Sequence, residues 1–175
     1  MFGYDLPLKV VNVVGGSTAH RAGGELAVAN EAYRAVFLRV HPTGKMVLSL
    51  TTMSDGKEAQ YGQMVADLFD VPALDVKVVP ADTDRFGVGH GYNTVPSGGV
   101  PGAIQSAVGK ILAKGQLLAG MALSVPPGSL RWTDGAWVNG SQSQTLEDVA
   151  LYAHGSGALP PGVEGGLDAQ AVYTN

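Results

Sequence analysis

The stretch SDGKEAQYGQMVADLF, residues 54–69, contains the strongest secondary-structure signal in this sequence. Its apolar residues recur at the i, i+3, i+4, i+7 and i+8 spacing of one helix face; they are Tyr61, Met64, Val65, Leu68 and Phe69. Ser54 and Asp55 are residue types that cap helix N-termini, and Pro72 prevents the helix from continuing. The pattern therefore predicts a helix over about residues 56–69.

Segments rich in Val, Leu and Phe lie on both sides of this helix and predict strands. They cover residues 8–14, 34–40, 45–51 and 76–79. Pro42 to Gly44 is a turn signal between the second and third of these strands. Asp134 and Gly135 form a two-residue hairpin signal between Trp132 and Trp137. A final strand is expected at about residues 169–173.

A second long helix is predicted after a glycine-rich segment. Residues 86–102 contain six glycines and two prolines, a composition that cannot sustain a regular helix or a central strand. Pro101 suits a first helical turn, and an apolar stripe then continues to Met121. Thr145 and Asp148 resemble a capping box before a short helix that Gly155 can end. We expect an α+β fold, a mixed sheet with two main helices packed on it, in a single domain over residues 1–175.

Composition excludes several classes of function. The chain has no cysteine, which excludes disulfides, iron–sulfur clusters and thiolate metal sites. Its net charge is −4 and its cations form no basic run, so we expect neither a nucleic-acid nor a membrane partner. There is no transmembrane segment, and the first residues read as a strand rather than a signal peptide. We therefore expect a soluble, cytoplasmic protein.

Two predicted helix N-termini are candidate anion sites. The glycine-rich loop leads into a helix at Pro101 to Ala103, where backbone donors and the positive end of the helix dipole favour phosphate. The turn from Ser54 to Lys57 offers a second helix end of the same kind. Neither loop has the spacing of a P-loop or of a dinucleotide fingerprint. A loop without any ligand therefore remains an alternative interpretation of these residues.

Other polar residues favour structural roles. Asp82 and Asp84 lie beside a turn, where carboxylates commonly accept hydrogen bonds from backbone amides. The histidines include no i, i+4 pair, so we expect no metal site; they are His20, His41, His90 and His154. No serine lies in a strand-to-helix nucleophile elbow. We therefore assign no catalytic residue in this chain.

An ordered series of motifs runs along most of the sequence. It comprises VHPTGK at residues 40–45, YGQMVAD at 61–67, VKVV at 76–79, the glycine-rich loop with its helix, the hairpin from Trp132 to Val138, and LPPGVEGGLDA at 159–169. This series resembles the large subunit of the molybdenum hydroxylases, the family of xanthine dehydrogenase, aldehyde oxidase and carbon monoxide dehydrogenase. The resemblance is strongest to carbon monoxide dehydrogenase large chains.

The resemblance implies that this chain binds part of a molybdopterin cofactor in its cytosine dinucleotide form. In the family, a Gly-Gln-Gly turn and a glycine-rich loop ending in Ser-Arg-Ser contact the phosphates and the pterin. The matching cofactor-binding positions here are Ser54, Asp55, Gly56, Gly89, Gly91 and Ser97, with Val95 and Pro96 before the last. Asp55 substitutes a carboxylate for an amide, and Pro96 substitutes for an arginine, so both changes weaken the expected contact with phosphate.

The resemblance further implies a function. It makes the chain a molybdopterin-binding part of a larger oxidoreductase subunit that works with iron–sulfur and flavin modules. The family's catalytic glutamate motif is expected downstream of Asn175, so the chain is not expected to be catalytic by itself. The alternative is a cofactor-free interaction module that retains the fold, which the changes at Asp55 and Pro96 favour. A third possibility is an α+β domain whose glycine-rich loop has no ligand.

Overall fold

The structure is a computed structural model that describes residues 19–21, 24–26, 34–51, 54, 56–80, 99–155 and 159–173. Its strands are β1 (Ala19–Arg21), β2 (Gly24–Leu26), β3 (Arg34–Val40), β4 (Met46–Leu50), β5 (Val76–Val79), β6 (Arg131–Thr133), β7 (Ala136–Asn139), β8 (Gln142–Thr145) and β9 (Leu167–Tyr173). Its α-helices are α1 (Glu58–Phe69), α2 (Val100–Leu123) and α3 (Leu146–His154), and short 3₁₀ turns cover Ala73–Asp75 and Pro127–Ser129. None of the described helices is both long enough and apolar enough to cross a membrane.

A four-stranded mixed sheet forms the centre of the fold, in the order β5-β4-β3-β9. β3 pairs antiparallel with β4 and with β9, whereas β4 and β5 are parallel and are joined through α1. Ser49 lies opposite Val79 in the parallel pair. The carboxyl ends of β4 and β5 therefore meet at one edge of the sheet, which we call the carboxyl edge. β9 runs in the same direction, because it is antiparallel to β3.

Helices α1 and α2 cover one face of this sheet, the inner face. Alternate residues of β3 point into that layer, and Val36, Leu38 and Val40 are fully buried. They share one core cluster with Val65 of α1 and Ile104 of α2. Complete burial of each such aliphatic side chain contributes about 1.5–3 kcal/mol. The predicted α+β fold with a mixed sheet and two main helices is confirmed.

A second, three-stranded antiparallel sheet of β6, β7 and β8 packs beside α2. Trp137 of β7 is 1% exposed, and its ring occupies the space in which a side chain at Gly115 of α2 would lie. The Gln116 amide donates hydrogen bonds to the carbonyl oxygens of Pro127 (2.9 Å) and Leu130 (3.2 Å). A residue without a side chain at position 115 therefore allows this sheet to contact the helix directly.

Several local predictions are confirmed. Gly44, with φ of 76°, closes the turn between β3 and β4. Asp134 and Gly135 both have positive φ between β6 and β7, as a two-residue hairpin of type I′ requires. Thr145 and Asp148 form the reciprocal capping box of α3. Turn and cap chemistry at these positions is local, so the sequence was sufficient to identify it.

Other boundaries differ from the predictions. The predicted caps of α1, Ser54 and Asp55, are wrong: the helix begins at Glu58 with Lys57 as its N-cap. Gly56 has a φ of 75°, a left-handed conformation that no right-handed helix can include, so the helix starts after it. The last strand is longer than predicted, and β8 was not predicted. The strand expected at residues 8–14 lies outside the described residues.

Candidate functional site

The carboxyl edge of the sheet is where the two candidate loops begin. β4 ends at Leu50, and the described residues Ser54 and Gly56 follow it before α1. Thr51 fixes this exit, because its Oγ1 donates to the carbonyl oxygen of Ala35 and accepts from the Ala35 amide, both at 3.0 Å. β5 ends beside it at Val79 and precedes the glycine-rich segment. In open sheets with parallel strands, ligands bind outside such carboxyl ends.

The direction of α2 brings its first turn to the same edge. The Lys110 ammonium donates to the carbonyl oxygen of Gln170 (2.7 Å), the central residue of β9. Further along α2, Gly115 contacts Trp137 of the three-stranded sheet. The β6–β7 turn of that sheet lies against the end of α1, since a side chain at Gly135 would be 3.3 Å from the Asp70 carbonyl oxygen. Helices α1 and α2 therefore both begin at the carboxyl edge and run away from it.

The N-terminus of α2 has the properties of an anion-binding helix end. Its N-cap residue is Gly99, with φ of 95° and no side-chain capping bond. The Ala103 amide donates to the Gly99 carbonyl oxygen (3.0 Å), whereas Pro101 has no amide hydrogen. The amides of Val100 and Gly102 are therefore first-turn donors that the helix itself does not satisfy. The first turn itself contains no acidic residue, so no carboxylate of this turn competes with an anion for the positive end of the helix dipole.

The N-terminus of α1 is less favourable to an anion. Lys57 occupies the N-cap without a side-chain capping bond and adds a positive charge. Gly56 before it is exposed, and a side chain there would meet nothing within 4 Å, so a ligand could approach its backbone closely. Glu58, however, places a carboxylate in the first turn, which opposes the binding of phosphate. Of the two helix ends, α2 is the stronger candidate donor.

Helix α3 provides an internal comparison. Its N-terminus is capped by Thr145, whose Oγ1 accepts from the Asp148 amide (3.1 Å) while the Asp148 carboxylate accepts from the Thr145 amide (3.0 Å). This helix lies at the opposite edge of the sheet, because Glu147 approaches Gly44 at the start of β4. The capped helix is thus the one remote from the carboxyl edge, and the two helices that begin at that edge lack side-chain caps.

The predicted site residues are only partly described by the structure. Ser54 and Gly56 lie at the carboxyl edge, and both are exposed. The others lie outside the described residues: Asp55, Gly89, Gly91, Val95, Pro96 and Ser97. Sequence reasoning missed Gly99 as the N-cap of α2. The available signal was Gly99 two positions before Pro101, because proline favours the first turn of a helix and glycine can adopt the left-handed conformation that is found beside a helix end.

Within the described ranges, no group of three or more His, Asp or Glu side chains could hold a metal ion. His41 and His154 are both engaged locally: the His41 ring contacts the Thr43 hydroxyl (2.9 Å), and the His154 Nδ1 lies 2.8 Å from the Ala150 carbonyl oxygen. The described part of the site therefore offers backbone amides, which are donors that suit phosphate rather than a metal ion.

Comparison with known proteins identifies the family. Residues 10–175 match the model of the molybdopterin cofactor-binding domain. The carbon monoxide dehydrogenase large chains of Afipia carboxidovorans and Hydrogenophaga pseudoflava are each 33% identical to the chain over 144 residues, which cover 78% of this chain and 17% of each relative. The chain thus spans about a sixth of the length of these relatives.

Solved structures agree with this assignment. The crystal structure of the Cu,Mo-CO dehydrogenase in its carbon monoxide reduced state matches with a TM-score of 0.71 and 28% identity, over 91% of this chain and 20% of that one. Quinoline 2-oxidoreductase from Pseudomonas putida 86 matches with a TM-score of 0.66 and 25% identity, over 81% of this chain and 19% of that one. The chain belongs to the molybdopterin cofactor-binding domain family and corresponds to a segment of molybdenum hydroxylase large subunits of the carbon monoxide dehydrogenase type.

Proposed function

We propose that this chain forms one wall of a molybdopterin site, with the phosphate groups of the cofactor at the carboxyl edge of the sheet. The observation that supports this most directly is the N-terminus of α2, where Gly99 leaves the first turn without a side-chain cap. Its Val100 and Gly102 amides can donate to phosphate oxygens, and the helix dipole favours the negative charge. These residues therefore fit the phosphate part of the cofactor.

The turn after β4 supplies the second part of the proposed site. Gly56 allows close approach of the ligand to the backbone, and Lys57 adds a cation at the start of α1. We propose that this turn contacts the outer part of a dinucleotide, because the Glu58 carboxylate makes it a poorer phosphate site than α2. Gly89, Gly91 and Ser97 remain proposed contacts from the resemblance, together with Ser54 and Asp55.

The cytosine dinucleotide form of the cofactor and the identity of the partners are parts of the same proposal. The bound molybdenum would supply the redox chemistry, and this chain would orient the cofactor through its phosphates. We propose that further large-subunit segments and iron–sulfur and flavin modules complete the enzyme. Carbon monoxide is the substrate in the names of the similar large chains, and it is the substrate we propose to test first.

A charge substitution at the start of α2 tests the site. Pro101 is exposed in the first turn, so Pro101→Glu introduces a carboxylate beside the proposed phosphate, while Pro101→Gln introduces a side chain of the same shape without charge. A carboxylate within about 5 Å of a phosphate should lower the affinity about tenfold. It should not destabilise the helix, because acidic residues favour a helix N-terminus.

The measurement is the content of molybdenum and cytidine nucleotide in each variant, purified from a host that makes the cofactor and co-expressed with the neighbouring coding regions. We expect the Gln variant to retain both components and the Glu variant to lose most of them, with equal melting temperatures in both. Equal loading of the two variants would contradict the proposed phosphate position. Absence of molybdenum and nucleotide from the unmodified chain would instead support a cofactor-free interaction module.

A further inference from the structure

Strand β9 forms one edge of the four-stranded sheet. Within the described ranges, it pairs with β3 and with no other strand. It is seven residues long, which exceeds the average strand of about five or six residues, and its sequence LDAQAVY contains neither proline nor glycine. A long, regular edge strand is a template to which a strand of another molecule can add, and natural proteins carry features that block this addition.

The hydrogen bonds of β3 show which backbone groups of β9 point away from the sheet. The Thr51 amide donates to the Ala35 carbonyl oxygen (3.1 Å), so Ala35 directs its backbone groups toward β4. This direction alternates along a strand, so Val36 directs its groups toward β9. Val36 lies opposite Ala171, which therefore points toward β3. The residues of β9 whose backbone groups point away from β3 are Asp168, Gln170 and Val172.

Lys110 of α2 contacts the middle of this row. Its Nζ donates to the Gln170 carbonyl oxygen (2.7 Å), which agrees with the outward direction of Gln170. Helix α2 packs against β9 on the inner face of the sheet, and the exposed Lys110 side chain reaches from there to the edge. The ammonium thus satisfies a backbone acceptor that β3 does not reach, at the centre of the strand.

The position of this ammonium opposes the addition of a further strand. Neighbouring strands lie about 4.8 Å apart, so an ammonium 2.7 Å from the Gln170 carbonyl oxygen lies in the space that the backbone of an added strand would occupy. That strand could add only if the Lys110 ammonium moved away and lost its hydrogen bond, or became buried. Burial of an unpaired charge has a large cost in free energy.

A second copy of this chain carries a strand that fits the edge. The outward residues Asp168 and Val172 lie symmetrically about Gln170, so two β9 strands can pair antiparallel about a two-fold axis at Gln170. Each outward residue would then exchange backbone hydrogen bonds with the other copy. Asp168 of one copy would lie opposite Val172 of the other, so the two carboxylates would not face each other. Without Lys110, the edge would be self-complementary.

We propose that Lys110 blocks strand addition at β9, so that a second copy of the chain cannot add its own β9 to this edge. The ammonium does so by capping the Gln170 carbonyl oxygen and by placing a charge where the second strand would lie. Lysine at exposed strand edges has this effect in other sheets. This inference goes beyond cofactor binding and does not depend on it.

Replacement of the lysine tests the proposal. Lys110→Met removes the ammonium but retains a long, flexible side chain that suits a helix, whereas Lys110→Arg retains a cationic donor. Lys114→Met is the matched control, because it makes the same change in charge and composition one turn further along α2. Sedimentation velocity of the full chain over a range of concentrations measures self-association, and thioflavin T fluorescence reports continued strand addition.

We expect Lys110→Met to raise the association constant at least about tenfold, which is equivalent to about 1.4 kcal/mol, because each of the two paired edges loses its blocking cation. Lys110→Arg and Lys114→Met should associate no more than the wild type. Circular dichroism and melting temperature verify that each variant is folded.

A second substitution tests whether the association uses this edge. Proline at position 170 removes an amide hydrogen that points away from β3, so it blocks strand addition and leaves the pairing of β9 with β3 in place. Gln170→Pro in the Lys110→Met variant should therefore restore the association constant of the wild type.

Three results would overturn the proposal. The first is a Lys110→Met variant that associates no more than the wild type. The second is association that Lys114→Met raises equally or that Gln170→Pro does not reverse, since loss of charge or another surface would then be the cause. The third is a wild-type dimer that Gln170→Pro dissociates, since Lys110 would then not block the edge. None of these measurements depends on molybdenum or nucleotide content, so this proposal and the cofactor site are tested separately.

Discussion

Replacement of Gly115 by alanine should destabilise the protein, and the structure gives the size of the effect. The new Cβ would lie 2.2 Å from the Cη2 and Cζ2 atoms of Trp137, whereas carbon atoms pack at about 3.5–4.0 Å. The helix or the ring must therefore move by more than about 1 Å. Trp137 is 1% exposed and its ring centroid is 4.4 Å from that of Trp132, so the ring has no free space to enter.

Overpacking of a buried site costs about 1–3 kcal/mol, and this rigid ring places Gly115→Ala at the upper end of that range. Alanine recovers about 1 kcal/mol through its higher helix propensity. The net loss in the free energy of unfolding is therefore about 2 kcal/mol, which lowers the melting temperature by roughly 4–8 °C for a chain of this size.

Gly109 of the same helix is the matched control for this change. A side chain there would meet nothing within 4 Å, so Gly109→Ala should raise the free energy of unfolding by about 0.5–1 kcal/mol. Thermal unfolding by circular dichroism measures both variants, and tryptophan fluorescence reports whether Trp137 moves. A Gly115→Ala variant as stable as the wild type, with unchanged fluorescence, would refute the reasoning from contact distance.

Two further predictions concern polar contacts. Thr145→Ala removes the hydroxyl that accepts from the Asp148 amide and should lower the free energy of unfolding by about 1 kcal/mol, as measured by chemical denaturation. Ser143 is exposed in the same strand, so Ser143→Ala is the control and should lower it by less than half as much. Equal losses in the two variants would contradict the capping argument. Asp168→Asn removes the ion pair with Arg39, whose side chain is 68% exposed, and should change stability by less than about 1 kcal/mol. The free energy of unfolding of this variant and of the wild type, measured at several salt concentrations, tests the contribution of the ion pair. A variant that is less stable than the wild type by more than about 2 kcal/mol at high salt would be inconsistent with solvent screening.

The sequence predicted an element accurately when the contacts that stabilise it join residues close together in the chain. The i, i+3 and i+4 apolar spacing of α1 and the stripe of α2 were sufficient to predict both helices, because one buried face imposes its own period. The turn at Asp134 and Gly135 and the cap at Thr145 were predictable for the same reason, since their hydrogen bonds close within a few residues. The start of α1 was not predictable in this way, because Gly56 adopts a left-handed conformation that a helix cannot include, and glycine adopts left-handed and right-handed conformations about equally readily.

The sequence by itself was sufficient to predict the three helices, the four strands of the central sheet and the family, through the local periodicity and the ordered motifs along the chain. It did not predict β8 or the start of α1. Only the tertiary structure decided that the turn before α1 and the first turn of α2 lie at the same edge. That proximity follows from the parallel pairing of β4 with β5 and from the direction in which α2 crosses the sheet. Such contacts join residues far apart in the chain, and their free energy arises only when the whole core packs.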